Sequence, residues 1–200
     1  MSTQTELWLD RRFDDLYFKY SDPWGCGENV GSISHELFLR MICAYKPVHG
    51  RALDVGCGLG EQSFKLSMYS GGDVAGIDVS GIAIEKAKAR FPEIDFHVRD
   101  IMRDDITDLG VFGLITMSEV LWYICEKLDT VLRKIGNALS PGGILAIHQY
   151  FPTEQKHYKD VIDGWEDFKK RMSIDWDLKG LVVSHCCQDG PVMLALYQRR

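Results

Sequence analysis

Three glycines at alternate positions follow a short apolar run near residue 50. Leu53 and Val55 are typical of a buried parallel strand, and Gly56, Gly58 and Gly60 come directly after them. Glycine lets the backbone turn sharply and approach a ligand more closely than any side chain would allow. A helix that starts here would offer free N–H groups to a polar or negative ligand group. The stretch therefore predicts a nucleotide-like ligand. By itself it does not identify the fold, because many nucleotide-binding folds contain such a turn.

Carboxylates follow the next two apolar runs. Asp78 lies eighteen positions after Gly60, a separation that lets a carboxylate accept hydrogen bonds from ribose hydroxyls. Its alternative role is in a turn or as the cap of a helix near Ser80, and we favour the ribose role. Asp100, beside the apolar Ile101, could bind an exocyclic amine and cover an adenine face. By itself, that pair is more often the start of a solvated loop.

Two further strand ends carry groups that could act on a proton. Ser118 and Glu119 follow the fourth apolar run, and His148 ends the fifth. A nucleophile that arrives as an alkyl ammonium or a hydroxyl must lose a proton, and Glu119 and His148 are the candidate catalytic groups for this step. Alternatively, Glu119 caps the helix that starts near Leu121 or holds a cofactor in place, and His148 is a half-buried strand residue bonded to backbone.

These residues require strands that alternate with helices. Alternation of this kind predicts an α/β fold with a parallel sheet covered by helices on both faces. Near the C-terminus, two apolar runs flank Gln188-Asp189-Gly190-Pro191, which is a hairpin signal and makes the last strand antiparallel. We predict strands near 51–55, 73–78, 95–99, 112–117, 143–148, 181–187 and 192–198, and helices near 61–69, 80–90 and 122–139.

Two regions outside this core have helical periodicity. Residues 6–20 carry apolar side chains at spacings of three or four, and a second helix is predicted from Ser34, as its N-cap, to Ala44. A third pattern, from Tyr158 to Met172, predicts a helix over the cleft or against a partner. We expect residues 1–47 and 149–178 to form the lid.

Composition is that of one globular domain. The chain has 200 residues, of which 46% are hydrophobic and 26% charged, and its net charge is -6. The charge argues against a general nucleic-acid or anionic-membrane surface and favours a small-molecule partner. The N-terminus lacks a signal-peptide pattern and no stretch is apolar enough to span a membrane, so we expect a cytoplasmic protein. The six cysteines lack C-x-x-C spacing and are interpreted as structural.

The ordered motifs resemble those of class I S-adenosylmethionine-dependent methyltransferases. The resemblance covers nearly the whole chain. Two shorter segments, Phe18–Trp24 and Ser118–Tyr123, look most like the branch that holds nodulation-factor sugar N-methyltransferases, with a looser similarity to thiopurine methyltransferases. The ordered motifs are Leu53–Gly60, Gly76–Ser80, Arg99–Ile101, Ser118–Leu121 and Leu139–Gly143, together with the terminal antiparallel strand.

The resemblance implies a doubly wound, seven-stranded, mostly parallel Rossmann-like sheet with an antiparallel C-terminal hairpin strand. It implies one methyltransferase domain over 1–200, divided into an N-terminal helical lid (1–47), a cofactor-binding core (48–148), a lid and substrate segment (149–178) and a terminal hairpin (179–200). It also implies S-adenosyl-L-methionine as the cofactor. The residues that it places at the cofactor are Trp24, Asp54, Gly56, Cys57, Gly58, Gly60, Asp78, Val79, Asp100, Ile101, Ser118 and Glu119.

Within this set the roles differ. The glycine turn would hold the methionine portion, Asp78 the ribose, and Asp100 with Ile101 the adenine, while Asp54 orients the turn or reaches the amino group indirectly. Trp24 is the aromatic residue that we expect at the site. The acidic run from Asp100 to Asp108 suggests a divalent metal, but a solvated loop is the better interpretation, and we assign no metal.

The acceptor is a small molecule in our interpretation. An amine nitrogen, with an amino sugar as the first guess, comes ahead of a hydroxyl and a thiol. An NAD-dependent oxidoreductase and a non-catalytic subunit that binds a protein partner are the alternatives from other classes. Oligomeric state is left open, with a homodimer as one alternative.

Overall fold

A computed structural model describes residues 11–25, 33–45, 50–70, 72–187 and 189–200. The first part of the predicted helix 6–20, the residue Cys26 and the hairpin residue Gln188 lie outside this set. Among the described residues, no helix has the length and apolar character needed to cross a membrane.

Seven strands of the described chain form one sheet. Their order is β3-β2-β1-β4-β5-β7-β6. The first five are parallel, and β7 runs antiparallel between β5 and β6. This confirms the predicted fold class and the terminal hairpin. The strands are β1 (Arg51–Val55), β2 (Val74–Asp78), β3 (Asp95–Val98), β4 (Phe112–Ser118), β5 (Leu139–Tyr150), β6 (Trp176–Cys187) and β7 (Gly190–Arg199).

Helices lie before and between these strands. Two of them precede the sheet, and the others connect its strands. They are α1 (Phe13–Lys19), α2 (Ile33–Ala44), α3 (Glu61–Ser70), α4 (Gly81–Arg90), α5 (Leu121–Ile124), α6 (Leu128–Ala138) and α7 (Gly164–Met172), with 3-10 turns at Thr107–Leu109 and Cys125–Lys127.

Three predicted helices differ from the observed ones. The single helix 122–139 is replaced by α5, a 3-10 turn and α6, and the segment from Leu139 onward joins β5. Ser34 lies inside α2 instead of capping it. The predicted helix from Tyr158 to Met172 is confined to α7, because Tyr158 and Gly164 have φ angles of +55° and +79°, which interrupt a regular helix.

Alternate residues of the strands pack on opposite faces of the sheet. On one face, Leu53, Ile115 and Leu145 contact the cluster that includes α5, α6 and α7. On the other face, Leu114 and Ala146 pack with residues of α2 and α3. The sheet is therefore buried on both sides, as its near-continuous apolar strands predict.

Within the segment 149–178, helix α7 packs against the core. Phe168 and Met172 of α7 are buried in the cluster on the α6 face. Arg171 donates to both carboxylate oxygens of Asp129 on α6 at 2.8 and 2.9 Å. These contacts place α7 beside α6.

The third glycine of the turn is expected to be required for packing. Gly60 has a φ of +85°, and a Cβ atom there would lie 2.6 Å from Phe96 Cζ. Gly60→Ala should lower the free energy of unfolding by about 2 to 4 kcal/mol, because the left-handed backbone and the overpacked ring both add cost. Urea denaturation measures this change.

The matched control is Gly81→Ala at the first residue of α4. A Cβ at Gly81 meets nothing within 4 Å, and its φ is not left-handed. The control should be neutral or stabilising by up to about 1 kcal/mol, since alanine favours helix. Equal effects of the two substitutions would show that Gly60 is not constrained as described.

Candidate active site

The glycine turn joins β1 to α3 and is tied to β2. The backbone N–H groups of Gly56 and Cys57 both donate to Ile77 O, at 2.8 and 3.0 Å. Gly56 and Gly58 have φ angles of +72° and +52°, and a Cβ on either would lie within 2.8 Å of Val120 or Tyr17. Only glycine fits these two positions, and the turn is therefore as predicted.

Asp78, at the end of β2, accepts a hydrogen bond from the backbone of this turn. It is 9% exposed. Its Oδ2 accepts from the N–H of Gly58 and its Oδ1 from the N–H of Ser80, each at 2.9 Å. Burial raises the pKa of this carboxyl, and the backbone donors oppose that rise. The helix cap is Ser80 itself, whose Oγ accepts from Ala83 N. Each Asp78 oxygen still has acceptor capacity for a ligand.

Asp54 is a second buried carboxylate beneath the turn. It is 2% exposed. It accepts hydrogen bonds from Ser63 Oγ at 2.7 Å, Thr116 Oγ1 at 2.8 Å and Gln62 Nε2 at 3.3 Å. Burial, the largest effect, raises the pKa of Asp54 to about 6, although the three donors lower it. These contacts connect β1, α3 and β4.

The loop after β3 is held by its own carboxylates. Asp100 Oδ1 accepts from Met102 N at 2.9 Å, and Asp104 Oδ2 accepts from Asp100 N at 2.7 Å. These are local turns. Within the part of the chain that the structure describes, no group of three or more His, Cys, Asp or Glu residues is placed to hold a metal ion.

Glu119 connects the ends of β4 and β5. Its Oε1 accepts from Tyr150 N and its Oε2 from Gln149 Nε2, both at 2.9 Å. Glu119 has a φ of +57°, a left-handed conformation that costs about 1 to 3 kcal/mol for a residue with a side chain. The side chain of Glu119 remains 42% exposed. It does not cap α5, because Leu121 N donates to Gln149 Oε1 instead.

His148 is buried below Glu119. It is 3% exposed, because β5 continues to Tyr150 and the rings of His35 and Phe38 cover it. Its Nδ1 lies 3.1 Å from Ser118 Oγ and 3.3 Å from Glu119 Oε1, and its Nε2 lies 3.2 Å from Ser34 Oγ. The alternative of a half-buried residue bonded to backbone does not describe these side-chain contacts.

A cavity of about 710 Å³ lies across the carboxyl ends of β1, β2 and β4. This volume is within the usual range for small-molecule sites. Aromatic side chains from α1, from the loop after it and from α5 line it, namely Phe13, Tyr17, Trp24, Trp122 and Tyr123. The predicted cofactor residues that line it are Trp24, Asp54, Gly56, Cys57, Gly58, Asp78, Val79, Asp100, Ile101, Ser118 and Glu119.

Three observations about the cavity differ from expectation. Gly60 does not line it, since this residue packs against Phe96. His148 does not line it either, whereas His35 does. Sequence reasoning missed His35, because helical spacing on α2 gives no sign that one polar residue faces a distant strand end. None of the described residues from 149 to 178 lines the cavity.

The sequence from residue 47 to residue 187 matches the model of a protein family described as a methyltransferase domain. This match covers well over half of the chain. The chain belongs to the methyltransferase domain family. Members of the family use S-adenosylmethionine, and structural relatives have been solved with this cofactor or with S-adenosylhomocysteine. The family match decides for the methyltransferase interpretation and against the oxidoreductase.

Individual methyltransferases are similar over parts of the chain. The cypemycin N-terminal methyltransferase of a Streptomyces species is 29% identical over 56% of this chain, and nodulation protein S of Sinorhizobium fredii is 30% identical over 61%. The chain spans about half the length of these curated relatives, with 47% and 57% of them covered.

Solved structures share the fold. The N-methyltransferase NodS from Bradyrhizobium japonicum, in complex with S-adenosylhomocysteine, has a TM-score of 0.76 at 22% identity and covers 90% of this chain and 93% of its own. A TehB-like S-adenosylmethionine-dependent methyltransferase from Corynebacterium glutamicum has a TM-score of 0.67 at 25% identity, with 91% and 97% covered. The similarity to the NodS structure shows the fold.

Asp54 is expected to make stability depend on pH. Its pKa is about 6 in the folded protein and 3.8 ordinarily, so the folded state favours the protonated carboxyl. The wild type should lose stability relative to Asp54→Asn as the pH rises from about 4 to about 6, by about 3 kcal/mol. Urea denaturation of both proteins at a series of pH values measures the difference. A difference that stays constant with pH would contradict the raised pKa.

Proposed function

We propose that this protein transfers the methyl group of S-adenosylmethionine to an amine nitrogen of a small molecule, for which an amino sugar is the first candidate. The observation that carries the proposal is one cavity with two different ends. Asp78 follows β2 at one end, the partly exposed carboxylate of Glu119 lies beside Ser118 after β4 at the other, and the glycine turn after β1 lies between them. The first end suits a nucleoside ligand and the second suits a cationic nucleophile.

The residues present fit S-adenosylmethionine. Gly56 and Gly58 present backbone without a side chain to the cavity, and the remaining acceptor capacity of Asp78 suits ribose hydroxyls. Asp100 and Ile101 would hold the adenine. Asp54 would reach the amino group of the cofactor's methionine portion through Gln62. When bound, S-adenosylmethionine supplies an electrophilic methyl group on a sulfonium sulfur.

The chain contributes positioning and water exclusion to the reaction. Alignment of two bound reactants is worth about 7 to 11 kcal/mol in favourable systems. Aromatic rings around the cavity exclude water, and their faces attract cations. Trp24 and Tyr123, with ring centroids 6.0 Å apart, are the residues that we assign to this role at the acceptor end.

Glu119 is the residue that we assign to the acceptor amine. Its carboxylate is fixed by donors from β5, yet it remains partly exposed at the cavity. A carboxylate there attracts an ammonium group and can accept the proton that the nitrogen must lose. A phenolate or thiolate would be repelled. The name of one relative, a phosphoethanolamine N-methyltransferase of Arabidopsis thaliana, is consistent with an amine acceptor.

The N-terminal segment is the lid in this proposal. Asp14 of α1 accepts from Ser80 Oγ at 2.6 Å and from Ile82 N at 3.2 Å, and Lys86 Nζ donates to Tyr17 O at 2.6 Å. These bonds attach α1 to α4 at the edge of the cavity. We therefore assign the described residues 11–25 of this segment to covering the cavity over the cofactor.

Asp78→Asn should weaken the binding of S-adenosylhomocysteine about 10- to 100-fold, because the amide has one acceptor oxygen in place of two. Isothermal titration calorimetry measures this dissociation constant. The control is Asp73→Asn, just before the opposite end of β2, where the carboxylate pairs with Arg51. The control should bind as the wild type does. Unchanged affinity in Asp78→Asn would remove Asp78 from the cofactor site.

Glu119→Gln should lower amine methylation about 10²- to 10⁴-fold, which is the usual contribution of a general base. Mass spectrometry of a panel of amines, phenols and thiols incubated with S-adenosylmethionine measures the product. The control is the exposed Glu93→Gln, which should retain full activity.

Two outcomes would contradict the proposal in different ways. Methylation of phenols or thiols, with no amine methylated, would show that the acceptor atom is wrong. Full amine methylation by Glu119→Gln would show that another group accepts the proton.

A further inference from the structure

Two histidines stack at the acceptor end of the cavity. The rings of His35 and His148 have centroids 4.1 Å apart. His35 comes from α2 and lines the cavity, whereas His148 is buried behind it. The hydroxyl of Ser118 contacts one nitrogen of each ring, with its Oγ 3.4 Å from His35 Nε2 and 3.1 Å from His148 Nδ1.

The carboxylate of Glu119 decides where the proton of His148 lies. A carboxylate accepts hydrogen bonds and donates none. Glu119 Oε1 lies 3.3 Å from His148 Nδ1, where a lone pair on that nitrogen would face the carboxylate, so we assign the hydrogen to Nδ1. The other nitrogen, Nε2, can then accept from the hydroxyl of Ser34 at 3.2 Å. A carboxylate that fixes the tautomer of a neighbouring histidine is a common arrangement in functional sites.

This tautomer sets the direction of the remaining hydrogen bond. Because His148 Nδ1 carries hydrogen, it cannot accept the proton of Ser118. The Ser118 hydroxyl therefore donates to His35 Nε2. Burial is the largest effect that lowers the pKa of His35, to about 3, with smaller effects from the neighbouring His148 and Lys65, so the ring is neutral near pH 7 and one of its nitrogens can accept this proton.

We propose that His35 is a positioning residue of the acceptor site, which binds the hydroxyl proton of Ser118 and leaves a lone pair of Ser118 to accept a hydrogen bond from the methyl acceptor. This proposal rests on the proposed function, from which its amine substrate is taken. A hydroxyl has two lone pairs, so one remains even when His148 donates to the other.

This arrangement predicts which hydrogen-bond donors the methyl acceptor should carry. Ser118 and Glu119 both line the cavity, and both then accept hydrogen bonds. A nucleophile that carries N–H groups satisfies both at once. A tertiary amine has no N–H group to offer to these two acceptors, and such a loss commonly costs about tenfold or more in selectivity. The site should therefore favour primary over tertiary amines.

The direction of the hydrogen bond is tested directly by nuclear magnetic resonance. Long-range ¹⁵N–¹H spectra of the full chain with ¹⁵N-labelled histidine report which nitrogen of each ring is protonated. At pH 7, His35 should carry hydrogen on Nδ1 and not on Nε2, and His148 should carry it on Nδ1. His35→Gln identifies the signals of His35, and His148→Gln identifies those of His148. A proton on His35 Nε2 would overturn the proposal, whether or not an acceptor has been found.

Kinetics test the positioning role with glucosamine and its N,N-dimethyl derivative as probes. His35→Leu should lower kcat/KM for glucosamine about tenfold, mainly through KM, because Ser118 loses its partner. His35→Gln should recover most of this loss, since its amide oxygen can accept the same proton. Binding of S-adenosylhomocysteine, measured by calorimetry, should stay within about twofold in both variants.

A double-mutant cycle with Ser118→Ala gives the sharpest comparison. Because both residues act through one hydrogen bond, the double variant should be no worse than Ser118→Ala alone. Additive losses, or equal loss in His35→Gln and His35→Leu, would contradict the positioning role. Absence of glucosamine turnover by the wild type, with the predicted tautomers observed, would contradict the proposed acceptor and leave the hydrogen bond of His35 in place.

Discussion

The candidate site depends on two buried carboxylates beneath one glycine turn. Asp78 accepts from the backbone of Gly58 and Ser80, and Asp54 accepts from three side chains on α3 and β4. Burial of unpaired carboxylates would be costly, so each is surrounded by donors. The turn is thereby held in a left-handed conformation at the edge of the sheet, with its backbone beside the cavity. Every other part of the site is placed relative to this turn.

Strand order places the opposite end of the cavity. The chain leaves β1 toward β2 and β3, then returns to add β4 and β5 on the other side of β1. A crevice forms at such a reversal, outside the carboxyl ends of the strands. Ser118 and Glu119 end β4 next to β1, which puts them across the crevice from Asp78. Glu119 keeps its strained backbone because Tyr150 and Gln149 bind both of its oxygens.

Local sequence patterns predict the strands and the functional residues at their ends. The apolar runs of β1 to β5 give the sheet, and the glycines with Asp78 and Asp100 give one end of the cavity. Contacts between distant segments leave no such pattern. His35 meets Ser118 across 83 positions and His148 meets Ser34 across 114. For the same reason, the spacing from Tyr158 to Met172 predicts an amphipathic helix but not its position beside α6. The pattern Gly56, Gly58, Gly60 likewise cannot show that the third glycine packs against Phe96.

A crystal structure of the protein with S-adenosylhomocysteine tests the account most directly. We predict density for the ligand in the cavity, with the ribose hydroxyls bound to Asp78, the adenine beside Ile101 and the sulfur directed toward Ser118 and Glu119. Density at another place on the protein, or a reversed ligand with its adenine against Ser118 and Glu119, would contradict the assignment of the two ends of the cavity.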